Sequence, residues 1–200
     1  MNGFQKRTKA KMDQIEQCAI QMLHKPVQDI AVAEIAKLAR VSQVTIYNYY
    51  GSKEALLIAA LKRMFGDRVE QFKQLVESGL SFDEKLKRMI LMKREASQLV
   101  HPDTYVRLIA DNPEMHAYVQ AFNHEHSIPL FLKLVQEGRA YGKVRSHIHD
   151  EALLMYMNLL TQAIAAFSEE VISQLDRPGG VEEIIDLFFY GILNQNEESR

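Results

Sequence analysis

The chain has 200 residues, 47% of them apolar and 25% charged, a balance that supports a packed core and excludes both wholesale disorder and a multidomain enzyme. A formal net charge of −2 argues against a generally basic nucleic-acid coat, yet the average hides a split: residues 1–65 carry ten Lys/Arg against five Asp/Glu, a net +5, and residues 66–200 a net −7. The single cysteine, Cys18, can form no intramolecular disulfide; with an N-terminus, MNGFQKRTKAK, that lacks an apolar stretch and no run near the roughly 18 apolar residues of a membrane span, a cytoplasmic protein with no membrane partner is expected.

Prolines stand only at 26, 102, 113, 129 and 178, and good helix formers fill the intervals, so the chain reads as all-α with about nine helices. The first is predicted over Thr8 to Leu23, where Ile15, Cys18, Ala19, Met22 and Leu23 repeat at helical spacing on one face. Two short helices follow, near Val32 to Ala39 and Gln43 to Tyr49. A long one opens at Ser52, whose hydroxyl can cap it, and keeps an apolar face to Val76. Ser81-Phe82-Asp83-Glu84 has the spacing of a capping box and predicts a helix to about Val100, ended by His101-Pro102. A short helix from Asp103 to Ala110 comes next. Asn112-Pro113 starts another that runs to Tyr141, kinked or broken before Pro129 and ended by Gly142. The last two are predicted near Asp150 to Gln174 and Gly180 to Asn194.

Residues 31–50 have the makings of a helix-turn-helix. Such a motif needs a small residue where two helices cross and apolar residues that lock the angle, supplied here by Ala36 with Ile35, Val41 and Ile46. Ser42 can cap the second helix, which leaves Gln43, Val44 and Thr45 on an exposed first turn able to enter a groove.

The run Glu34-Ile35-Ala36, Val41-Ser42, Thr45-Ile46-Tyr47, the aromatic pair Tyr49-Tyr50, Ser52-Lys53-Glu54 and Leu56 resembles the DNA-binding segment of the TetR/AcrR family of bacterial transcriptional regulators. The resemblance covers about a third of the chain and implies two domains. One is an N-terminal three-helix helix-turn-helix DNA-binding domain over residues 5–65; the other is a C-terminal helical domain over 66–200 for effector binding and dimerisation. It also implies that Gln43, Val44 and Thr45 face base edges and adjoining phosphates, that Tyr47 and Tyr49 reach phosphates, and that Lys53 binds the backbone, with Ser42 and Asn48 completing the set. Each assignment is chemically sensible: Gln can pair with an adenine edge, Val and the Thr methyl can meet a thymine methyl, and phenols and an ammonium suit phosphate oxygens. Lys37 and Arg40, with the lysines and arginine near the N-terminus, would add sequence-independent affinity.

Two positions depart from the family pattern. Arg40 stands at the turn, where Gly is usual, and a non-Gly residue held there at left-handed dihedrals costs on the order of 1 kcal/mol. It would serve either as a phosphate contact or as a solvated turn residue. Tyr50 stands where Phe is common, which is tolerable if its hydroxyl finds a partner.

By analogy with the family, the body should dimerise and bind a small effector. Leu153, Tyr156, Leu160, Ile164 and Phe167 on the penultimate helix, with Ile184, Ile185, Phe188 and Ile192 on the last, would form a four-helix bundle across a two-fold axis. Pocket candidates are Met64, Phe65, Phe72, Met89, Met92, Tyr105, Tyr118, Phe122 and Tyr156, although for any one of them ordinary core packing is the commoner role, and they suggest an apolar or aromatic ligand. The pairs His124/His126 and His147/His149 are two residues apart, a spacing that points helical side chains away from each other, so no metal site is expected. Cys18 reads as a packed thiol. Nothing has the pattern of a phosphate-binding glycine loop or an activated nucleophile, so neither enzyme nor cofactor is expected. The sequence thus points to a homodimeric repressor, released from a palindromic double-stranded operator by a small effector that tilts the long helix. The alternative is a helical ligand-binding or scaffolding protein with a degenerate DNA-binding head.

Overall fold

A computed structural model describes residues 3–97, 99–156, 159 and 183. The fold is all-helical. In chain order the helices are α1 (Gly3–Ile20), α2 (Val32–Leu38), α3 (Gln43–Tyr50), α4 (Lys53–Val76), α5 (Phe82–Ser97), α6 (Pro102–Tyr105), α7 (Pro113–Phe122) and α8 (Ile128–Ala140). Residues 150–156 and 159 are helical as well; the rest of the helix expected to Gln174, and all of the final helix expected from Gly180 except the helical Glu183, lie outside the described residues. Among the described residues no helix is long and apolar enough to cross a membrane.

The boundaries differ from the sequence reading where solvated or tightening turns decide them. α1 starts at Gly3 rather than Thr8 because Gln5, Lys6, Arg7, Lys9 and Ala10, good helix formers that need no apolar stripe, outnumber Gly3 and Thr8 in its first turns. It ends at Ile20 rather than Leu23: the amides of Met22 and Leu23 donate three residues back, to Ala19 and Ile20, so the buried stripe continues into a tight turn. The run expected to break before Pro129 passes from α7 to α8 through a wide turn over Asn123–Ser127, in which the Ile128 amide donates to the Asn123 carbonyl. A wide turn of this kind accommodates a proline that follows in the first turn of α8.

The chain divides into two compact units, Met1–Glu70 with Gln98–Val119, and Gln71–Ser97 with Gln120–Arg200. In the first, Ile15, Ala19 and Leu23 from α1 and the turn after it pack with Ile35, Ile46, Leu56, Leu57 and Leu61, all fully buried. Each of these buried Ile and Leu side chains contributes about 1.5–3 kcal/mol. The same core takes in Leu108, Ile109 and Met115, so a segment far along the chain belongs to the unit that holds α2 and α3. Polar ties fix it there. The His101 amide donates to the Leu23 carbonyl at 2.8 Å, and the hydroxyl of Thr104, itself fully buried, donates to the Lys25 carbonyl at 2.7 Å.

In the second unit, Phe82 and Met89 of α5 pack on Phe131, Leu134 and Val135 of α8, with Val144 and Leu153 closing the core. Gly138 lets α5 approach α8: a Cβ there would lie 2.5 Å from a Phe82 ring carbon and 2.7 Å from a Val144 methyl. The near-buried Lys85 ammonium is neutralised by Glu137 at 2.8 Å, as burial of a charge requires. At the start of α5 the Ser81 hydroxyl and backbone both bond Glu84, forming the capping box that the sequence suggests.

Candidate nucleic-acid interface

The candidate interface comprises α2, α3 and the turn between them. α2 ends in a Schellman motif: the Val41 amide donates to the Ala36 carbonyl at 2.9 Å and the Arg40 amide to the Lys37 carbonyl at 3.2 Å. That motif demands a left-handed residue after the C-cap Ala39, and Arg40 supplies it with φ 52°. Val41 then tucks against the core beside Ala36, and Ile46 is fully buried, so the crossing of α2 and α3 is locked by the residues expected to lock it.

α3 is capped by Ser42, whose Oγ accepts the Thr45 amide at 3.1 Å and lies 2.9 Å from the Thr45 hydroxyl. A cap of this kind is worth about 1 kcal/mol and fixes where the first turn points. Gln43, Val44, Tyr47 and Asn48 are all solvent-exposed, Val44 to 67%. Val44 and Tyr47, three residues apart, therefore present apolar surface to solvent on one face of α3. Lys37 and Arg40 flank it in solvent, and Leu38 is also exposed.

Not every expected contact faces outward. Tyr49 is half-buried against the core and meets Tyr50 edge-to-face, with ring centroids 6.5 Å apart. The Tyr50 hydroxyl donates to Glu16 Oε1 at 3.0 Å and is 3.3 Å from the Met12 carbonyl, which anchors the end of α3 to α1. Burial, reinforced by the Glu16 carboxylate, raises the Tyr50 phenol well above its ordinary pKa, so it stays a donor. Lys53 is turned inward as well: its ammonium donates to the carbonyls of Val27 at 2.8 Å and Ile30 at 3.1 Å. The sequence gives no sign of these partners, or of Arg63, which joins α4 to Asp13 of α1 at 2.6 Å.

The pocket candidates fall into separate groups. Met64, Phe65, Tyr105 and Tyr118 belong to the core of the first unit, where burial raises the Tyr105 and Tyr118 phenols and the Lys62 ammonium lies 4.7 Å from the Tyr118 ring centre. Phe72, Met89 and Met92 belong to the core of the second. Phe122 stacks edge-on against His126, and Tyr156 is 40% exposed. Of the dimer candidates, Leu153 is buried within its own unit, whereas Tyr156 is exposed beside Met155 and Leu159. Leu160, Ile164, Phe167, Ile184, Ile185, Phe188 and Ile192 lie outside the described residues. Cys18 is partly buried, which raises its thiol above the ordinary range. Among the described residues no three His, Cys, Asp or Glu side chains converge as a metal site.

Residues 20–60 match the family model of the bacterial regulatory proteins of the tetR family. No curated protein sequence matches the chain significantly. Solved structures do. The fatty acid degradation regulator FadR from Bacillus halodurans is 22% identical, with a TM-score of 0.59 over 90% of this chain and 94% of its own. The transcriptional regulator FadR from Bacillus subtilis, solved with stearoyl-CoA, is 20% identical, with a TM-score of 0.59 over 90% and 98% of the two chains. The TetR transcriptional regulator SCO0520 from Streptomyces coelicolor is 19% identical, with a TM-score of 0.60 over 92% and 99%. At this identity the likeness is one of fold.

Proposed function

From the premise of a TetR-family DNA-binding segment on a fold shared with that family's regulators, we propose that this protein is a dimeric transcriptional repressor that binds a palindromic operator and is released by a small, largely apolar or aromatic effector. The observation that carries the DNA-binding part is the exposed first turn of α3. Gln43 and Val44 stand in solvent on a helix held by the Ser42 cap, the left-handed turn at Arg40 and the buried Ile46. A two-fold dimer would present two such turns to half-sites about 34 Å apart, or a multiple of that.

Gln43, Val44 and Thr45 are the base-reading residues in this proposal. Because the Thr45 hydroxyl is engaged with Ser42, its methyl is left for apolar contact. Tyr47, Asn48, Lys37 and Arg40 supply backbone contacts. The effector is taken by the body, where Tyr156 and the Met- and Phe-rich positions around Met92 and Phe122 are the candidates. The Bacillus subtilis structure binds stearoyl-CoA, and a long acyl chain has the apolar character proposed here. A ligand that loosens DNA 100-fold must prefer the DNA-incompetent form by about 2.7 kcal/mol.

Footprinting of the purified protein on the DNA flanking its own gene tests this reading. A protected two-fold-symmetric stretch that weakens steeply with salt is expected, and acyl-CoA added in increasing chain length should release it. Uniform, unprotected cleavage at low salt would refute the repressor.

A further inference from the structure

We propose that Lys53 is a positioning residue of the DNA-binding head, acting through the turn that leads into α2 and not as a ligand to phosphate. The inference rests on the DNA-binding reading above and changes the role of one of its residues. Lys53 is the first residue of α4, where a cation meets the unfavourable end of the helix dipole. Its place there is offset by two carbonyl oxygens, those of Val27 and Ile30, which accept its ammonium from opposite ends of one short turn. An ammonium is a compact charge with three donors, and two are committed to the protein.

The other holds on this turn are the buried Ile30 and Val32, which anchor it by packing, and the Lys25–Glu34 ion pair at 3.0 Å, which joins the chain before it to α2; the side-chain ties to its own carbonyls come from Lys53. Neither Pro26, which precedes the turn, nor Ala31, which precedes α2, gives a side-chain cap bond, so the start of α2 depends on ties made by other elements. Lys53 makes two of them. On the other flank the Val27 amide donates to Asp103 at 3.4 Å, and Thr104 holds the Lys25 carbonyl. Displacing the turn displaces α2, and with it the Schellman turn and α3 that follow. A half-buried ammonium with this geometry therefore sets the angle of the reading helix while making no contact with DNA.

The test separates three roles. Full-length wild type and K53M are titrated with a duplex that the wild type has enriched from a random-sequence pool, over a range of salt concentrations, and hydrogen exchange is measured on the free proteins. A positioning role predicts duplex binding about tenfold weaker at every salt concentration, the size of one lost charge-assisted hydrogen bond. It also predicts an unchanged slope of log K against log salt and faster exchange of amides 30–36. A phosphate ligand predicts a slope shallower by about one unit with exchange unaltered. A lysine that matters only for folding predicts a lower melting temperature with the affinity of the folded protein intact. Either of the last two results overturns the proposal. If K53M does not fold, K53Q carries the same readouts. If the wild type enriches no duplex, the DNA-binding reading falls with it, while the exchange data alone still decide whether Lys53 holds the turn.

Discussion

Arg40→Gly should make the protein more stable. Arg40 is the residue after the C-cap of α2 and sits at φ 52°, where an L-residue is strained by about 1–2 kcal/mol. Glycine removes that strain but gives the unfolded chain more freedom, worth about 0.4–1 kcal/mol against it. The Arg40 side chain is solvent-exposed, so little packing is lost, and the two Schellman hydrogen bonds involve only backbone. The difference between the two is centred on about 0.8 kcal/mol, or roughly 2–3 °C in melting temperature for a chain of this length. Denaturation followed by circular dichroism should show this gain with no change in the denaturant slope. Arg40→Ala removes the same side chain and keeps the strained backbone, so it should stay within about 0.5 kcal/mol of wild type. If the glycine variant is less stable than the alanine variant, the left-handed turn is not a source of strain and the reasoning is wrong.

Tyr50→Phe should cost about 1–2 kcal/mol, because it deletes the hydroxyl that bonds the Glu16 carboxylate and the Met12 carbonyl; chemical denaturation checks this, and a neutral result would mean that the hydroxyl is as well satisfied by water. Gly138→Ala should destabilise by about 1–3 kcal/mol, since its methyl would overlap the Phe82 ring and a Val144 methyl; near-ultraviolet circular dichroism should report the disturbed Phe82 packing. The hydrogen bond from Arg107, aided by the Val27 amide, holds the Asp103 carboxyl below its ordinary pKa. A depressed folded value means that the tie stabilises the protein above the ordinary aspartate value of about 4 and is lost as pH falls through the folded value. Acid unfolding of D103N should therefore show a shallower loss of stability below that pH than the wild type, and parallel curves would dismiss the tie.

The helix-turn-helix was legible because its signals are local. Ser42 caps the Thr45 amide three residues away, Arg40 announces the left-handed turn by its position, and Ala36, Val41 and Ile46 lie within one short stretch. What was illegible is carried by groups that look alike in every sequence. The docking of residues 98–119 on the first unit uses the Leu23 and Lys25 carbonyls and the Val27 amide, and Lys53 binds two further carbonyls. A lysine's charge can be read from its letter, but its backbone acceptors cannot. Long-range partners were equally hidden: Glu16 lies 34 residues before the Tyr50 hydroxyl it accepts. Pro129 was visible as an interruption, whereas the wide turn that carries the chain past it depends on backbone bonds five residues apart.

The central claim is that the exposed first turn of α3 reads DNA. It is tested most directly by sequencing the duplexes that the wild type and Gln43→Ala each retain from a random-sequence pool. The account predicts a two-fold-symmetric motif for the wild type, and for the variant the same motif with preference relaxed at one symmetric pair of positions, a change of about 1–3 kcal/mol there. A wild-type pool without symmetry, or a variant motif indistinguishable from the wild type's at every position, would contradict it.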